Sequence, residues 1–386
     1  MRLDAKCALL AVVPLLLVAL LATGCPKAGP PTTEPAKVGG VTEPSTKQPS
    51  AAKKLKVVIS TRPGQWNLDE RVRGYKETIE KDYPEIEIVQ VIDDETKYEV
   101  GQKQSSAMLA KFPDLAGFAG VNAASGPGIA AAVKAAGQSG KIVVVAMDGD
   151  TPILNLIKEG TINASVAQRQ YFMTYIGVKY LYGLKHGQFR KPGDTSNPDL
   201  PEIPKKIDTG TVEVNKDNVE AFYTPSQGAK EQLASDHPDW LNLLADRKRG
   251  EAEPNELYIC IGISTGVEYW NATKTGLEDV ASELGVKSKF EGPLEHRPDE
   301  QANILDQAIA RKPAGILIAP GNPETLKPYI NKAIDAGLNV ICFDTDAPDS
   351  RRLAYYGTSN YEAGVMGAHI LARELRIKHE QTPAAK

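Results

Sequence analysis

The sequence predicts an α/β protein of two lobes, each built on a parallel β-sheet that helices cover on both faces. Short β-rich segments alternate with helical segments of about ten to sixteen residues along most of the chain. The alternation starts twice, at Leu55 and again at Leu257. A stretch of the first series also matches a stretch of the second, which indicates that the lobes have related folds.

The N-terminal segment has the pattern of an export signal. Arg2 and Lys6 precede an apolar run from Cys7 to Ala22, which only Pro14 interrupts. A membrane helix is also apolar, but this run is shorter than the ~20 residues that a helix needs to cross a bilayer. The pattern therefore favours a cleaved signal peptide.

The apolar run ends in Leu21-Ala22-Thr23-Gly24-Cys25, which resembles the bacterial lipobox, with Ala22 where leucine is commonest. We therefore expect residues 1–25 to be the signal peptide and lipobox, and Cys25 to be acylated. Residues 26–54 are rich in Pro, Thr, Lys, Gly and Ala and have no apolar periodicity, which predicts a disordered tether. About 330 residues follow, enough for two domains.

Composition argues against several functions. The formal charge is −4 and no basic block lies outside the tether, so nucleic acid is not an expected partner. No nucleophile with a base and an orienting group can be assembled, and we expect neither an enzyme nor a cofactor. The histidines lack ligand spacing, so no metal site is expected; they are His186, His237, His296, His369 and His379.

Ten strands are expected. Those of the first series are Val57 to Ser60, Ile86 to Ile92, Leu115 to Val121, Ile142 to Met147 and Ala164 to Gln168. Those of the second are Leu257 to Ile263, a run near Ser288 to Gly292, Gly315 to Ala319, Asn339 to Phe343 and Leu353 to Gly357. Between the series, Ile207 to Val214 reads as a strand, and Trp240 to Arg247 as a short helix in a polar connector.

The two series agree in detail. Pro113 to Asn122 parallels Pro313 to Asn322, and each stretch leads through a helix to an apolar strand that stops at an aspartate, Asp148 or Asp344. Any βαβ unit can end a strand in Asp to cap the next helix. Two independent features at one spacing nevertheless favour two lobes of one fold.

Several motifs recur in the order that one family shares. In the second series they are Ile261 to Thr265 followed by Tyr269-Trp270, Ala319 to Glu324, Phe343 to Pro348 and Gly357 to Gly364. In the first they are Val145 to Asp148, Gly160 to Ile162, and Ala164 to Gln168 followed by Tyr175 to Gly177. By these motifs, Leu257 to Glu374 resembles the N-terminal half of the ribose- and galactose-type periplasmic sugar-binding proteins, and Lys56 to Gly183 resembles their C-terminal half.

The resemblance implies the type I fold of that family, two Rossmann-like, doubly wound lobes joined by a hinge that the chain crosses three times. Because the family's second half comes first here, it also implies a circular permutation. The crossings are expected near 168–170, 358–360 and 207–214. Lobe one would comprise 55–168 with 360–377, and lobe two 256–358 with helix 170–186; 169–214 would form the hinge helix and crossing strand, and 215–255 the connector between the family's usual ends.

The same topology bears on the cysteines that remain in the domain. In a sheet of order 2-1-3-4-5, the strands of Cys260 and Cys342 are separated by the strand from Gly315 to Ala319. Two strand steps of ~4.8 Å exceed the ~7 Å between Cα atoms that a disulfide tolerates. We expect two buried free thiols.

Ligands of doubly wound sheets bind at the carboxyl ends of the strands, where this chain collects carboxylates, amides and aromatic rings. Such a mixture suits a sugar, whose hydroxyls donate and accept and whose C–H faces are apolar. The expected site residues are Trp66, Asn67, Asn122, Asp148 and Gln168 from lobe one, and Tyr269, Trp270, Asp344 and Asp346 from lobe two.

By resemblance, Asn122, Asp148 and Gln168 fall on family ligand contacts, and the Tyr269-Trp270 pair on the family's paired aromatics. Other roles stay open for part of the set. Asn67 and Asp344 could cap helices, Gln168 could only stiffen the hinge, and Tyr269 or Trp270 could belong to the core.

The chain departs from the family in its cations. Asp69 stands where several members have an arginine before the pair Glu70-Arg71, and Thr345 follows Asp344. Few cationic donors among several carboxylates indicate an uncharged, hydroxyl-rich ligand.

The resemblance implies a monomeric, lipid-anchored solute receptor in the cell envelope, in the periplasm or on the outer face of the membrane. It would capture a small sugar for the permease of an ABC-type importer. An alternative is a sensor that reports its ligand to a membrane kinase or chemoreceptor. An extracellular hydrolase is a third possibility, and the export signal excludes a cytoplasmic repressor.

Overall fold

The computed structural model describes residues 54–223 and 252–381. The expected signal peptide, the lipidation site Cys25, nearly all of the expected tether and the helix expected from Trp240 to Arg247 lie outside the described residues. Among the helices of the described segments, none combines the length and apolar character of a membrane span.

In chain order the strands are β1 (Leu55–Thr61), β2 (Ile86–Asp93), β3 (Leu115–Gly120), β4 (Val143–Met147), β5 (Ala164–Gln168), β6 (Lys206–Asp208), β7 (Thr211–Asn215), β8 (Leu257–Ile261), β9 (Lys287–Glu291), β10 (Gly315–Ile318), β11 (Val340–Phe343) and β12 (Ala354–Gly357). The helices are α1 (Trp66–Asp82), α2 (Tyr98–Lys111), α3 (Ser125–Ala135), α4 (Thr151–Glu159), α5 (Gln170–Lys185), α6 (Trp270–Leu284), α7 (Pro298–Ala310), α8 (Pro323–Asp335) and α9 (Asn360–Gln381). A 3₁₀ turn, Val219–Tyr223, follows β7.

The strands form two six-stranded sheets. In lobe one the order is β2-β1-β3-β4-β5-β7, with β1 to β5 parallel and β7 antiparallel to β5. In lobe two the order is β9-β8-β10-β11-β12-β6, and every pair is parallel. Both lobes thus contain the doubly wound order 2-1-3-4-5, and each of the ten expected strands is confirmed to within two residues at either end.

Both faces of each sheet are buried. In β1, Val57 and Ile59 belong to one apolar cluster and Val58 to another, because successive side chains of a strand point to opposite faces. In β8, Ile259 and Cys260 divide in the same way. Helices therefore cover both faces, as continuous apolar strands require.

The chain passes between the sheets three times. It leaves β5 of lobe one for α5, which packs on β10 to β12 of lobe two, and it leaves β12 for α9, which packs on β3 to β5 of lobe one. The third passage joins β6 in lobe two to β7 in lobe one.

The expectation of one strand from Ile207 to Val214 is wrong, because the third passage divides it into β6 and β7. Gly210 turns the chain with φ of +71°, a left-handed conformation that glycine adopts without strain. The carboxylate of Asp208 fixes this turn by accepting from the N–H of Gly210 at 2.9 Å. The same carboxylate accepts from the N–H of Ser359 at 3.1 Å, which ties two of the passages together.

The last helix packs in the lobe of the first strand. Leu371 of α9 lies in the same buried cluster as Val57 of β1. The helix also crosses α1 so closely that a Cβ on Gly74 or Gly364 would collide with a backbone carbonyl of the other helix. Gly276 of α6 makes the equivalent close approach to α5 in lobe two.

The two cysteines in the described residues are buried and free, as expected. Cys260 pairs in register with Leu317, and Cys342 with Ile318, so β10 separates the two thiols.

Candidate ligand-binding cleft

The carboxyl ends of the two sheets meet at a cavity of about 160 Å³, which we call the inner cavity. Seven of the expected site residues line it: Asn67, Asn122, Asp148, Gln168, Tyr269, Trp270 and Asp344. The remaining two, Trp66 and Asp346, line a neighbouring cavity of about 210 Å³, which we call the outer cavity. Strands from both lobes therefore bring the expected polar and aromatic side chains to one place.

Asp148 and Asp344 occupy equivalent positions directly after β4 and β11. Each donates its N–H to the next strand, Asp148 to Val166 at 2.9 Å and Asp344 to Tyr356 at 3.2 Å. Both have positive φ, +75° and +59°, which is uncommon outside glycine and clusters at functional sites. No helix begins directly after Asp344, so it is not a helix cap.

Asp148 is 2% exposed. Its Oδ1 accepts from Nε2 of Gln168 at 2.8 Å, and its backbone carbonyl accepts from the Ser165 hydroxyl at 2.6 Å. Burial raises the pKa of Asp148, while the charge of Arg71 and the Gln168 amide act in the opposite direction.

Asp344 accepts from the hydroxyl of Tyr269 through Oδ1, and its carbonyl accepts from the Tyr355 hydroxyl at 2.9 Å. Burial raises the pKa of Asp344 to about 6, against the lowering effects of Tyr269 and Arg71. Each lobe thus supplies one buried carboxylate that a neighbouring side chain orients.

Arg71 also lies at the site but was not among the residues predicted from sequence. The pair Glu70-Arg71 was used only to locate Asp69. Its side chain lines the inner cavity and is 3% exposed. Nε donates to Oδ1 of Asn360 at 2.8 Å, and Nη1 donates to the carbonyl of Val121 at 2.9 Å. The spacing could have revealed it, because Arg71 follows Asn67 by one helical turn and shares its face of α1.

The side-chain oxygen of Gln168 is a hydrogen-bond acceptor without a donor in the part of the chain that the structure describes. Its Nε2 is bound to Asp148, but its buried Oε1 has no hydrogen-bond partner among the described residues. Gln168 lines the inner cavity. Because a buried polar atom without a partner is costly, its unpaired Oε1 favours contact with a ligand donor over a purely mechanical role in the hinge.

Asn122 lines the cavity and also forms hydrogen bonds that fix two loops. Its Oδ1 accepts from the N–H groups of Ala124 and Ser125, each at 3.0 Å, which fixes the loop after β3. Its Nδ2 donates to the buried carboxylate of Asp94, which also accepts from Ser60 at 2.8 Å. The amide therefore joins the loops after β2 and β3.

The aromatic pair forms one wall of the inner cavity. The rings of Tyr269 and Trp270 meet edge to face with centroids 4.9 Å apart. Trp270 is buried and packs with Phe343 in the core of lobe two, so it belongs to both the core and the cavity wall.

Beside the cavity, the lobes touch through Thr151 and Glu268. Oε1 of Glu268 in lobe two accepts from the N–H of Thr151 at 3.2 Å and from its hydroxyl at 2.5 Å. Asp150 is adjacent, and burial, with Asp148 and Glu268 nearby, raises its pKa to about 8.

A larger cavity of about 500 Å³ shares Gln168 and Tyr269 with the inner cavity and extends to Tyr223. It contains neither of the paired aspartates nor Arg71, so we assign the site to the inner cavity. Within residues 54–223 and 252–381, no group of three or more His, Cys, Asp or Glu side chains is arranged to hold a metal ion.

Comparison with known proteins identifies the family of the chain. A family model described as a periplasmic binding protein domain matches residues 49–188 and 260–380. A D-ribose/D-allose-binding protein of Pseudomonas aeruginosa is 30% identical over 142 residues, which are 36% of this chain and 44% of that protein. The alignment thus spans less than half the length of the curated relative.

Solved structures are similar as well. A sugar-binding protein of a sugar ABC transporter from Bacillus halodurans is 32% identical over 44% of this chain and 58% of that chain, with a TM-score of 0.41. A carbohydrate transporter solute-binding protein from Agrobacterium radiobacter, in complex with D-arabinose, is 12% identical over 87% of this chain and 92% of that chain, with a TM-score of 0.53. The latter likeness identifies the fold.

Proposed function

The chain belongs to the type I periplasmic binding proteins, which are not enzymes, and from this premise we propose that it captures a small, uncharged sugar in the inner cavity and delivers it to an ABC-type importer. The curated relative is named for D-ribose and D-allose, and the Agrobacterium structure holds D-arabinose. These names support a sugar unit of five or six carbons in the inner cavity.

The observation that carries the proposal is the convergence of Asp148, Asp344 and Arg71 with the unpaired Oε1 of Gln168 on one aromatic-walled cavity. Sugar hydroxyls donate to carboxylate and amide oxygens and accept from guanidinium N–H groups. The ring of Tyr269 offers an apolar surface to the C–H groups.

Charge favours a neutral sugar over an acidic one. Two carboxylates and one guanidinium line the inner cavity close together, and burial already raises the pKa of both carboxyl groups. An anionic ligand would add a third negative charge beside a single cation, which a site of low dielectric opposes strongly.

We further propose that the chain is a circular permutant of its family. The family model matches two separate segments and leaves residues 189–259 between them unmatched. The alignment with the Pseudomonas relative covers 44% of that protein. A collinear alignment ends after one half when two proteins carry their halves in opposite order.

The position of the domain's ends supports the permutation. The backbone N–H of Leu55, at the start of β1, donates to the carbonyl of Glu85 at 2.7 Å. The side chain of Glu85 forms an ion pair with Arg376, near the end of α9, at 2.7 Å. Chain ends that lie this close can be joined or cut with little change to the fold.

We also propose that acylated Cys25 anchors the chain to a membrane, with residues 26–54 as a tether. The support is the lipobox-like sequence after the apolar run. This anchor would keep the binding domain near a membrane permease without adding any contact to the site.

A thermal-shift screen against pentoses, hexoses, deoxysugars and polyols tests the sugar proposal. A ligand at 100 times its dissociation constant stabilises the folded state by about 2.7 kcal/mol, enough for a clear shift in melting temperature. The variant Asp148→Asn should fold, because Asn tolerates positive φ, and should lose most of the shift. The matched control is Asp335→Asn, at the far end of α8.

If Asp148→Asn keeps the full shift of the parent, Asp148 does not bind the ligand. If no compound of the screen shifts the melting temperature, the sugar proposal is wrong.

A further inference from the structure

The inner and outer cavities adjoin. Gln65, Asn67, Ile263 and His296 line both, so the two cavities are neighbours that share these four residues. Small-molecule sites usually occupy about 300–1,000 Å³. Neither cavity reaches that range at 160 or 210 Å³, whereas the two together do.

The outer cavity lies between the loop after β1 of lobe one and the strand-end loops of lobe two. Its lining comprises Arg62 to Asn67 from the loop after β1 and, from lobe two, the loops after β8, β10 and β11 with His296. It includes neither Asp148 nor the hinge residue Gln168, both of which line the inner cavity. A ligand that extends from the inner cavity past Asn67 and His296 would enter the outer one.

Trp66 gives the outer cavity an aromatic surface. It is the first residue of α1 and is 52% exposed, whereas the next residue, Asn67, turns inward and is 8% exposed. An indole left half in water beside a cleft offers a flat apolar face for a ring to cover, and sugar rings present such a face through their C–H groups.

The outer cavity is lined by Arg62 of the loop after β1 and, from lobe two, by Asp346 and His296. Asp346 forms a two-pronged ion pair with Arg352, in which Nη2 lies 2.6 Å from Oδ2. His296 is held by the carbonyl of Gly321 at 2.9 Å from Nε2. The paired carboxylate, the imidazole and the guanidinium of Arg62 can all form hydrogen bonds with the hydroxyl groups of a sugar.

We infer that the preferred ligand has two rings: a sugar in the inner cavity, linked glycosidically to a second ring that stacks on Trp66 in the outer cavity. The inference rests on the proposed function, since the first ring occupies the site described above. The expected ligand is therefore a disaccharide or a similar glycoside. Asp346, which lines the outer cavity, would lie beside the second ring.

Calorimetric titration with matched sugars tests this. The probes are xylose, glucose and galactose, together with xylobiose, cellobiose, maltose and lactose. We expect at least one disaccharide to bind about tenfold or more tightly than its constituent sugar, because it covers additional apolar surface. Trp66→Ala should remove this advantage and leave the affinity for the single sugar unchanged within about twofold.

Tyr98→Ala is the matched control. Tyr98 is likewise the first residue of a lobe-one helix and is 41% exposed, but it lines neither cavity. It should alter neither affinity.

Three outcomes would contradict the inference. If single sugars bind and no disaccharide binds more tightly, the ligand has one ring and the proposed function stands. If Trp66→Ala weakens single sugars and disaccharides equally, the indole belongs to the first ring's site. If no sugar of either length binds, both the inference and the proposed function are wrong.

Discussion

Arg71 shows how one buried side chain can organise both lobes. It lies on α1 of lobe one, yet its Nε binds Asn360, the first residue of α9 directly after a hinge passage. Its charge acts to lower the pKa of Asp148 in lobe one and of Asp344 in lobe two. A single cation thus stabilises two carboxylates that would otherwise repel each other across the cleft.

The carboxyl groups of the cleft make the stability of the ligand-free protein depend on pH. Burial raises the pKa of Asp344 to about 6 and that of Asp150 to about 8, both above the ordinary value of 3.8. The folded state therefore binds more protons than the unfolded state between about pH 4 and 8. This contribution to stability is complete below about pH 4 and is lost as the pH rises through the two folded values.

We therefore expect the ligand-free protein to melt at a higher temperature at pH 5 than at pH 8, and Asp344→Asn or Asp150→Asn to reduce the difference. Melting curves at four pH values between 5 and 8 measure it. Asp335→Asn is the control, because the ion pair with Arg351 lowers the pKa of Asp335 and places its titration below this range. An unchanged pH slope in both cleft variants would contradict the assignment.

Position at a strand end was enough to predict that Asp148 and Asp344 lie together in the cleft, because parallel strands bring their carboxyl ends to one edge. Arg71 lies on a helix face, where the same pattern commonly marks an ordinary surface. The bond from Asn122 to Asp94 joins the ends of two strands that are not consecutive neighbours in the sheet. The spacing of Asn67 and Arg71 indicates a shared helix face, whereas the bond from Asn122 to Asp94 does not follow from sequence spacing.

At the scale of elements, each lobe contains a close helix crossing next to the hinge. A Cβ on Gly364 of α9 would overlap the carbonyl of Arg71 in α1, and a Cβ on Gly276 of α6 would overlap the carbonyl of Tyr171 in α5. In both lobes one partner in the crossing directly follows a hinge passage. These crossings fix the helices that emerge from the hinge.

Gly364→Ala should destabilise the protein by about 1–3 kcal/mol, because the added methyl group forces two helix backbones apart. Urea unfolding monitored by circular dichroism measures the change. Gly101→Ala in α2 is the control: its Cβ would meet the Cβ of Asp94 at 3.5 Å and the Cα of Gly128 at 3.8 Å, both ordinary contacts. Replacement of a helical glycine by alanine at such a position should stabilise by roughly 0.5–1 kcal/mol. Equal effects of the two substitutions would show that the α1–α9 crossing is not tight.

The strands could be predicted from sequence because alternation and apolar runs are local properties. The segment from Ile207 to Val214 could not, because its two halves belong to different sheets and nothing in the local pattern shows which. Asp208-Thr209-Gly210 is a turn signal in hindsight, but a glycine inside a β-rich run also fits a bulge.

At the scale of the whole molecule, the two lobes are joined by the three hinge passages and by the contact between Thr151 and Glu268. Thr151 is the first residue of α4, so its free N–H lies at the positive end of that helix. The carboxylate of Glu268 reaches it from lobe two at 3.2 Å. The contact joins the lobes beside the inner cavity.

The proposed permutation makes a prediction about a relinked chain. The chain would start at residue 252, continue to Gln381, pass through a short Gly/Ser linker to Lys54 and end at Tyr223, without residues 1–53 and 224–251. A short linker suffices because Leu55 and Arg376 both contact Glu85. Loop closure changes slowly with length, by about 0.6 kcal/mol for each doubling, so we expect cooperative unfolding close to that of the parent domain.

The relinked chain should also keep the melting-temperature shift of the parent with whichever screened sugar gives the largest one, because every described site residue and hinge passage is retained. The control carries the same linker but has its new ends between Ala116 and Gly117, inside β3, a central strand between β1 and β4. That cut removes ladder hydrogen bonds in the core and should prevent folding. A relinked chain that fails like the control would mean that residues 224–251 or the present order of the halves is needed for the fold, and the permutation would no longer explain the connector.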